Sequence, residues 1–95
     1  MVLCMSEQLA ETIIVSNKDV SEYALRVIVA LRNITENEVV VIKGRGDFIE
    51  KAIDVYNEVK ARMGDSIKLV SVNIGTEKAG RRYFPTIEIK LTYSA

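Results

Sequence analysis

The spacing of apolar residues divides the chain into runs and stripes. Thr12 to Ser16 holds Ile13, Ile14 and Val15 in succession, branched side chains that suit a pleat, and predicts a short strand covered on both faces. From Val20 the spacing changes. Val20, Tyr23, Ala24, Val27, Ile28 and Leu31 follow the i, i+3, i+4, i+7 rhythm of a helix with one inward face. Asp19 stands where a side chain can accept a first-turn N–H, with Glu22 three residues on to return the bond, and Asn33 is a suitable stop. Glu38 to Lys43 then runs through Val39, Val40, Val41 and Ile42 without a polar break, the mark of a central strand covered on each side. Gly44-Arg45-Gly46 turns the chain, and Asp47 with Glu50 repeats the capping pattern ahead of a long second helix ending near Met63 and Gly64.

That second helix carries two stripes, one through Ile49, Ala52, Ile53, Tyr56 and Met63 and one through Phe48, Ala52, Val55 and Val59. Together they are wider than a helix on one sheet requires. Either the core face is broad, or Phe48, Val55 and Val59 meet a second subunit. Ile67, Leu69, Val70, Val72 and Ile74 predict a third strand, and Ile87, Ile89, Leu91 and Tyr93, alternating with Glu88, Lys90 and Thr92, a fourth. The order β-α-β-α-β-β predicts an α/β fold, a two-layer sandwich whose mixed four-stranded sheet ends in a long hairpin. Residues 1–11 lack any period and read as an amino-terminal tail, leaving residues 12–95 as one domain.

Composition narrows the function more than the fold. Ninety-five residues suffice for a single modest core, and a second subunit is a natural way to add to it. Thirteen basic residues balance thirteen acidic ones, so any attraction for a polyanion has to come from local clustering. His is absent, Cys4 is the lone cysteine, and no Walker spacing follows the glycine turn. An enzyme, a metal site and a cofactor are therefore not expected. Met1 to Met5 is apolar but lacks the charged leader and length of a signal peptide or membrane span, so a cytoplasmic location is expected.

Two segments gather positive charge. Gly75 to Tyr83 is glycine-punctuated and poor in hydrophobes, and reads as an arm on which Lys78, Arg81 and Arg82 can straddle phosphates or enter a minor groove. An ordinary solvated hairpin is the alternative. Lys43 and Arg45 flank the turn into the second helix, where free N–H groups favour an anion, although Asp47 competes for the same donors. Lys18, after the first strand, falls at the same end of the predicted sheet, and Lys51 extends the patch one turn into the helix unless it is simply solvated.

Glu38-Val-Val-Val-Ile-Lys-Gly-Arg-Gly46, Ile49-Glu-Lys-Ala-Ile-Asp-Val-Tyr56, Val72-Asn-Ile-Gly-Thr-Glu77 and Arg81-Arg82 before an Ile-rich strand resemble the Alba family of archaeal chromatin proteins, from about Thr12 to Tyr93. The resemblance implies a core like the carboxyl domain of bacterial initiation factor three, in a dimer whose hairpin arms lie along adjacent minor grooves. It implies sequence-independent, architectural binding and condensation of double-stranded DNA, on the chromosome, through Lys18, Lys43, Arg45, Lys51, Arg81 and Arg82. RNA is the other implied ligand, since relatives bind it and serve as ribonuclease P subunits; Tyr83 and Phe84 offer rings for stacking. The family's lysine pair after strand one is Asn17-Lys18 here, and a frequently basic position is Asp47. The pattern resembles the divergent second Alba paralogue, which implies a homodimer or a mixed dimer with a more basic sibling.

Overall fold

The computed structural model describes residues 8–35 and 37–93. Its elements are β1 (Gln8–Ile14), α1 (Val20–Arg32), β2 (Glu38–Arg45), α2 (Ile49–Met63), β3 (Ile67–Ala79) and β4 (Arg82–Tyr93), with short 3-10 turns over Gly46–Phe48 and Gly64–Ser66. The sheet order is β1-β2-β4-β3. β1 pairs parallel with β2, and β4 pairs antiparallel with both β2 and β3. The expected mixed sheet, helix layer and long hairpin are all present.

Both helices pack on one face. Ile13, Val40, Ile42, Ile87, Ile89 and Leu91 meet Ala24, Val27, Leu31, Ala52, Val55 and Val59 there in one core. Each turn of α1 contributes to it because the apolar spacing returns to the same side. Among the described residues the other face has no helix, contrary to the two-sided cover expected of β1 and β2. Ile14 is exposed on it. Val39 and Val41 are nonetheless buried, because β2 is interior to the sheet and its neighbours flank them, Leu9 beside Val39 and Thr12 and Lys90 beside Val41. The unbroken apolar run thus reflects position within the sheet as much as layers above and below it.

Several boundaries differ from expectation. β1 begins at Gln8, so residues 8–11 of the expected tail pair with β2 across a register shift between Leu9 and Glu11. Its outer residues are exposed, which leaves no apolar period to read. Residues 1–7, with Cys4 and the Met1–Met5 segment, lie outside the described residues. Neither predicted capping box forms. Asp19 occupies the cap of α1 but receives Glu22 N–H on its backbone oxygen, at 3.1 Å. Asp47 lies within the 3-10 turn, one residue ahead of the cap of α2.

The irregular spacing of Leu69, Val70, Val72 and Ile74 is explained by a bulge. The register shifts between Leu69 and Ser71, so Leu69 sits opposite Leu91 and Val72 opposite Ile89. One extra residue keeps both side chains on the helix side. α2, however, lies over β2 and β4, leaving Leu69, Val72 and Ile74 exposed on β3, with Ile74 at 80%. Beyond the end of β2 the hairpin continues alone, from Thr76 opposite Pro85 to Ala79 opposite Arg82. Gly80 turns it at φ +65° while Arg81 stays at negative φ, the arrangement of a two-residue II′ turn. At about 3.3 Å per residue the free ribbon is on the order of 16 Å long.

Candidate functional site

Because β1 and β2 run parallel, their carboxyl ends meet at one end of the sheet, where β2 stops pairing and the ribbon begins. Gly44 makes that junction possible. A Cβ there would stand 2.5 Å from the Phe48 carbonyl oxygen and 2.8 Å from the Ala52 Cβ, so only glycine lets the 3-10 turn and α2 approach the strand this closely. Gly46 takes the positive φ, +59°, that redirects the chain.

Lys43 and Arg45, two residues apart on β2, emerge on the face without helices. They border a cleft of about 390 Å³ lined also by Ile14, Val15, Ser16, Gly46, Asp47, Phe48, Glu77 and Phe84. Glu77 reaches over from β3. Its Oε1 accepts a hydrogen bond from Arg45 Nη1 at 2.8 Å and its Oε2 one from Lys43 Nζ at 3.1 Å. The Arg45 guanidinium, then the Lys43 ammonium, hold the Glu77 carboxyl below its ordinary 4.5. Glu88 stands 3.9 Å from Lys43 on the other side. The convergence of basic loops expected here is therefore electrically balanced: Lys43 and Arg45 face Glu77 and Asp47 within the same cleft.

The ribbon is different. No ion pair among the described residues involves Lys78, Arg81 or Arg82. Arg82 and Arg45 each place a guanidinium 5.5 Å from the centre of the Phe84 ring, and Lys78 places its ammonium 5.7 Å from that of Tyr83. Alternation along β4 puts Arg82 and Phe84 on one face of the ribbon and Tyr83 on the other. Each face thus presents a cation beside an aromatic ring. The cation–ring pairing was not evident beforehand, because it needs the register of the hairpin.

Lys18 lies in the loop after β1, at the same end of the sheet, with its side chain exposed. The buried Tyr23 fixes this loop, since its hydroxyl accepts hydrogen bonds from the backbone N–H groups of Ser16, at 2.9 Å, and Lys18, at 3.3 Å. Lys51 is half-buried in the first turn of α2. Of the expected subunit contacts, only Phe48 keeps partial exposure. Val55 and Val59 have 0% exposure within a single chain, and Phe48 packs against the same core. Both valines belong to this chain's interior, which accounts for the broad stripe on α2 without a second subunit. Apolar side chains left open among the described residues include Leu69, Val72 and Ile74 on β3, Ile53 on α2, Leu25 and Val29 on α1, and Leu9 and Ile14 on β1. Among the described residues no helix is long and apolar enough to cross a membrane, and no group of three or more His, Cys, Asp or Glu is placed to hold a metal ion.

Residues 11–78 match the family model described as Alba. The chain is 39% identical over 87 residues to the DNA/RNA-binding protein Alba 2 of Saccharolobus solfataricus, covering 92% of this chain and 96% of that protein. It is 38% identical over 63 residues to the DNA/RNA-binding protein Alba of Methanococcus maripaludis, covering 66% of this chain and 70% of the relative. Among solved structures, Alba from Thermoplasma volcanium superposes with a TM-score of 0.74 at 28% identity, over 85% of this chain and 98% of that one.

Proposed function

The chain belongs to the Alba family, and on that premise we propose that it binds nucleic acid, chiefly duplex DNA as an architectural protein of the chromosome, with the β3–β4 ribbon as the gripping element. The observation that carries this reading is the cluster of Lys78, Arg81 and Arg82 on a two-stranded projection, with no ion-paired carboxylate among the described residues. A ribbon of this width suits a groove, and cations held beside rings lose little freedom when they meet phosphate. Lys18 and Lys51 supplement it from the body, and the relatives' names support the ligand class. Phosphate contacts of this kind are indifferent to sequence.

The test is a binding titration at several salt concentrations. Changing Arg81 and Arg82 together to Ala should weaken duplex binding alike on all sequences and reduce the slope of log K against log salt by about 2. Unchanged duplex affinity would remove the ribbon from the mechanism.

Tyr83, 66% exposed on the ribbon, favours a second reading in which unpaired bases of RNA stack on it. Competition between duplex DNA and a structured RNA separates the two. For assembly, the exposed stripe Leu69, Val72 and Ile74 supports a dimer, with itself or with a more basic relative. The even charge count and the balanced cleft favour the mixed pair.

A further inference from the structure

The two most carefully placed cations of the body are already occupied, and by one residue. Lys43 and Arg45 emerge side by side at the end of β2, and the Glu77 carboxylate divides its oxygens between them at 3.1 and 2.8 Å. Two oxygens on one anionic centre, each taking a hydrogen bond from a different cation, is also what a backbone phosphate diester offers. We infer that Glu77 is a built-in stand-in for phosphate: its carboxylate fills the Lys43–Arg45 site in the free protein, and nucleic acid enters that site by exchanging a backbone phosphate for it. The inference rests on the reading of the chain as a nucleic-acid-binding protein and adds how the body's contact is controlled.

Three observations favour exchange over a permanent staple. The pair lies on the face that no helix among the described residues covers, with the Lys43, Arg45 and Glu77 side chains 28%, 53% and 39% exposed, so water can follow the carboxylate out. Exposed ion pairs are weak and replaceable, unlike buried ones whose separation strands a charge. The clamp also stands at the root of the ribbon, since Glu77 lies opposite Phe84, whose ring faces both Arg45 and Arg82. A polyanion gripped by Arg82 is thereby delivered to the site that Glu77 holds. Contact by the body follows engagement of the arm, and a lone anion without that tether meets a balanced cleft lined by Lys43, Arg45, Glu77 and Asp47.

Glu77→Gln keeps the shape and removes the charge. Exchange predicts that this variant binds a 30-base-pair duplex about three- to tenfold more tightly than the natural protein, the combined worth of two exposed ion pairs, with the salt slope unchanged. It also predicts that Arg45→Ala lowers the slope by about 0.9 in both backgrounds, because Arg45 reaches phosphate whether or not Glu77 holds it beforehand. Glu77→Ala serves as a second variant and should show the same gain, with melting temperature recorded for each. Equal or weaker binding by both Glu77 variants overturns the inference in favour of a structural staple, as does an Arg45→Ala slope equal to that of the natural protein. If the natural protein binds neither duplex nor RNA at low salt, the nucleic-acid reading itself falls. Binding by the natural protein without a gain in the variants sinks only the exchange.

Discussion

At the scale of single residues, Gly44 is the position with least freedom. Its missing side chain lets β2 meet the Phe48 carbonyl, and the obstacle to a Cβ is backbone, which cannot swing aside. Gly44→Ala should cost about 1–3 kcal/mol, as overpacking does, measured by urea or thermal unfolding; an unchanged midpoint would mean that the turn shifts freely. Glu77 gives the second prediction. Its folded pKa is depressed by Arg45 and then Lys43, so the clamp's contribution to stability is fully present above the unfolded pKa and is lost as pH falls through the folded one. The difference in melting temperature between the natural protein and Glu77→Gln should therefore stay constant near neutrality and close only below pH 4.5. A difference that varies between pH 6 and 8 would point to some other group. The pairing of Glu77 with these two cations was not visible in the sequence. Lys43 and Arg45 are separated from it by 34 and 32 residues, and only the folded register brings the carboxylate across β4. Lys78, Arg81 and Arg82 were legible as an exposed basic segment because the stretch from Gly75 to Gly80 holds no large hydrophobe.

At the scale of elements, patterns tied to the core could be read and patterns tied to edges could not. α1, β2 and α2 follow their apolar spacing almost to the residue because each of their turns or pleats is anchored in the core. β1 starts well ahead of its buried residue, Ile13, and the hairpin extends past its own buried residues, since exposed strands are held by backbone pairing, which leaves no trace in side-chain type. The bulge at Val70 hid the alternation of β3 in the same way. The width of the stripe on α2 was legible, but its cause was not: a helix that packs on both the sheet and α1 and one that meets a second subunit need the same residues. Val55→Ala separates these. It should lower stability by about 2 kcal/mol through the lost burial and the cavity, and by the same amount at every protein concentration. A loss that shrinks as the protein is concentrated would return Val55 to an interface.

At the scale of the whole molecule, the apolar residues on β3 stand outside the helix layer and beside an open strand edge, a combination that isolated domains ordinarily blunt with charge. Ile74→Asp should change the unfolding free energy of the dilute chain by no more than about 0.5 kcal/mol, as for surface changes generally, while shifting a sizing-column profile toward the single chain. A natural protein that elutes as one chain at every concentration would deny that stripe a partner. The strand order has a separate consequence for how the molecule is made. β4, the last of the four described strands, lies between β2 and β3, so a ribosome that has released the chain only as far as Ala79 has made the other three and both described helices yet has nothing to join β3 to the rest. Translation of β4 is the event that joins the sheet, and until then the growing polypeptide exposes the edges of β2 and β3 that β4 goes on to cover.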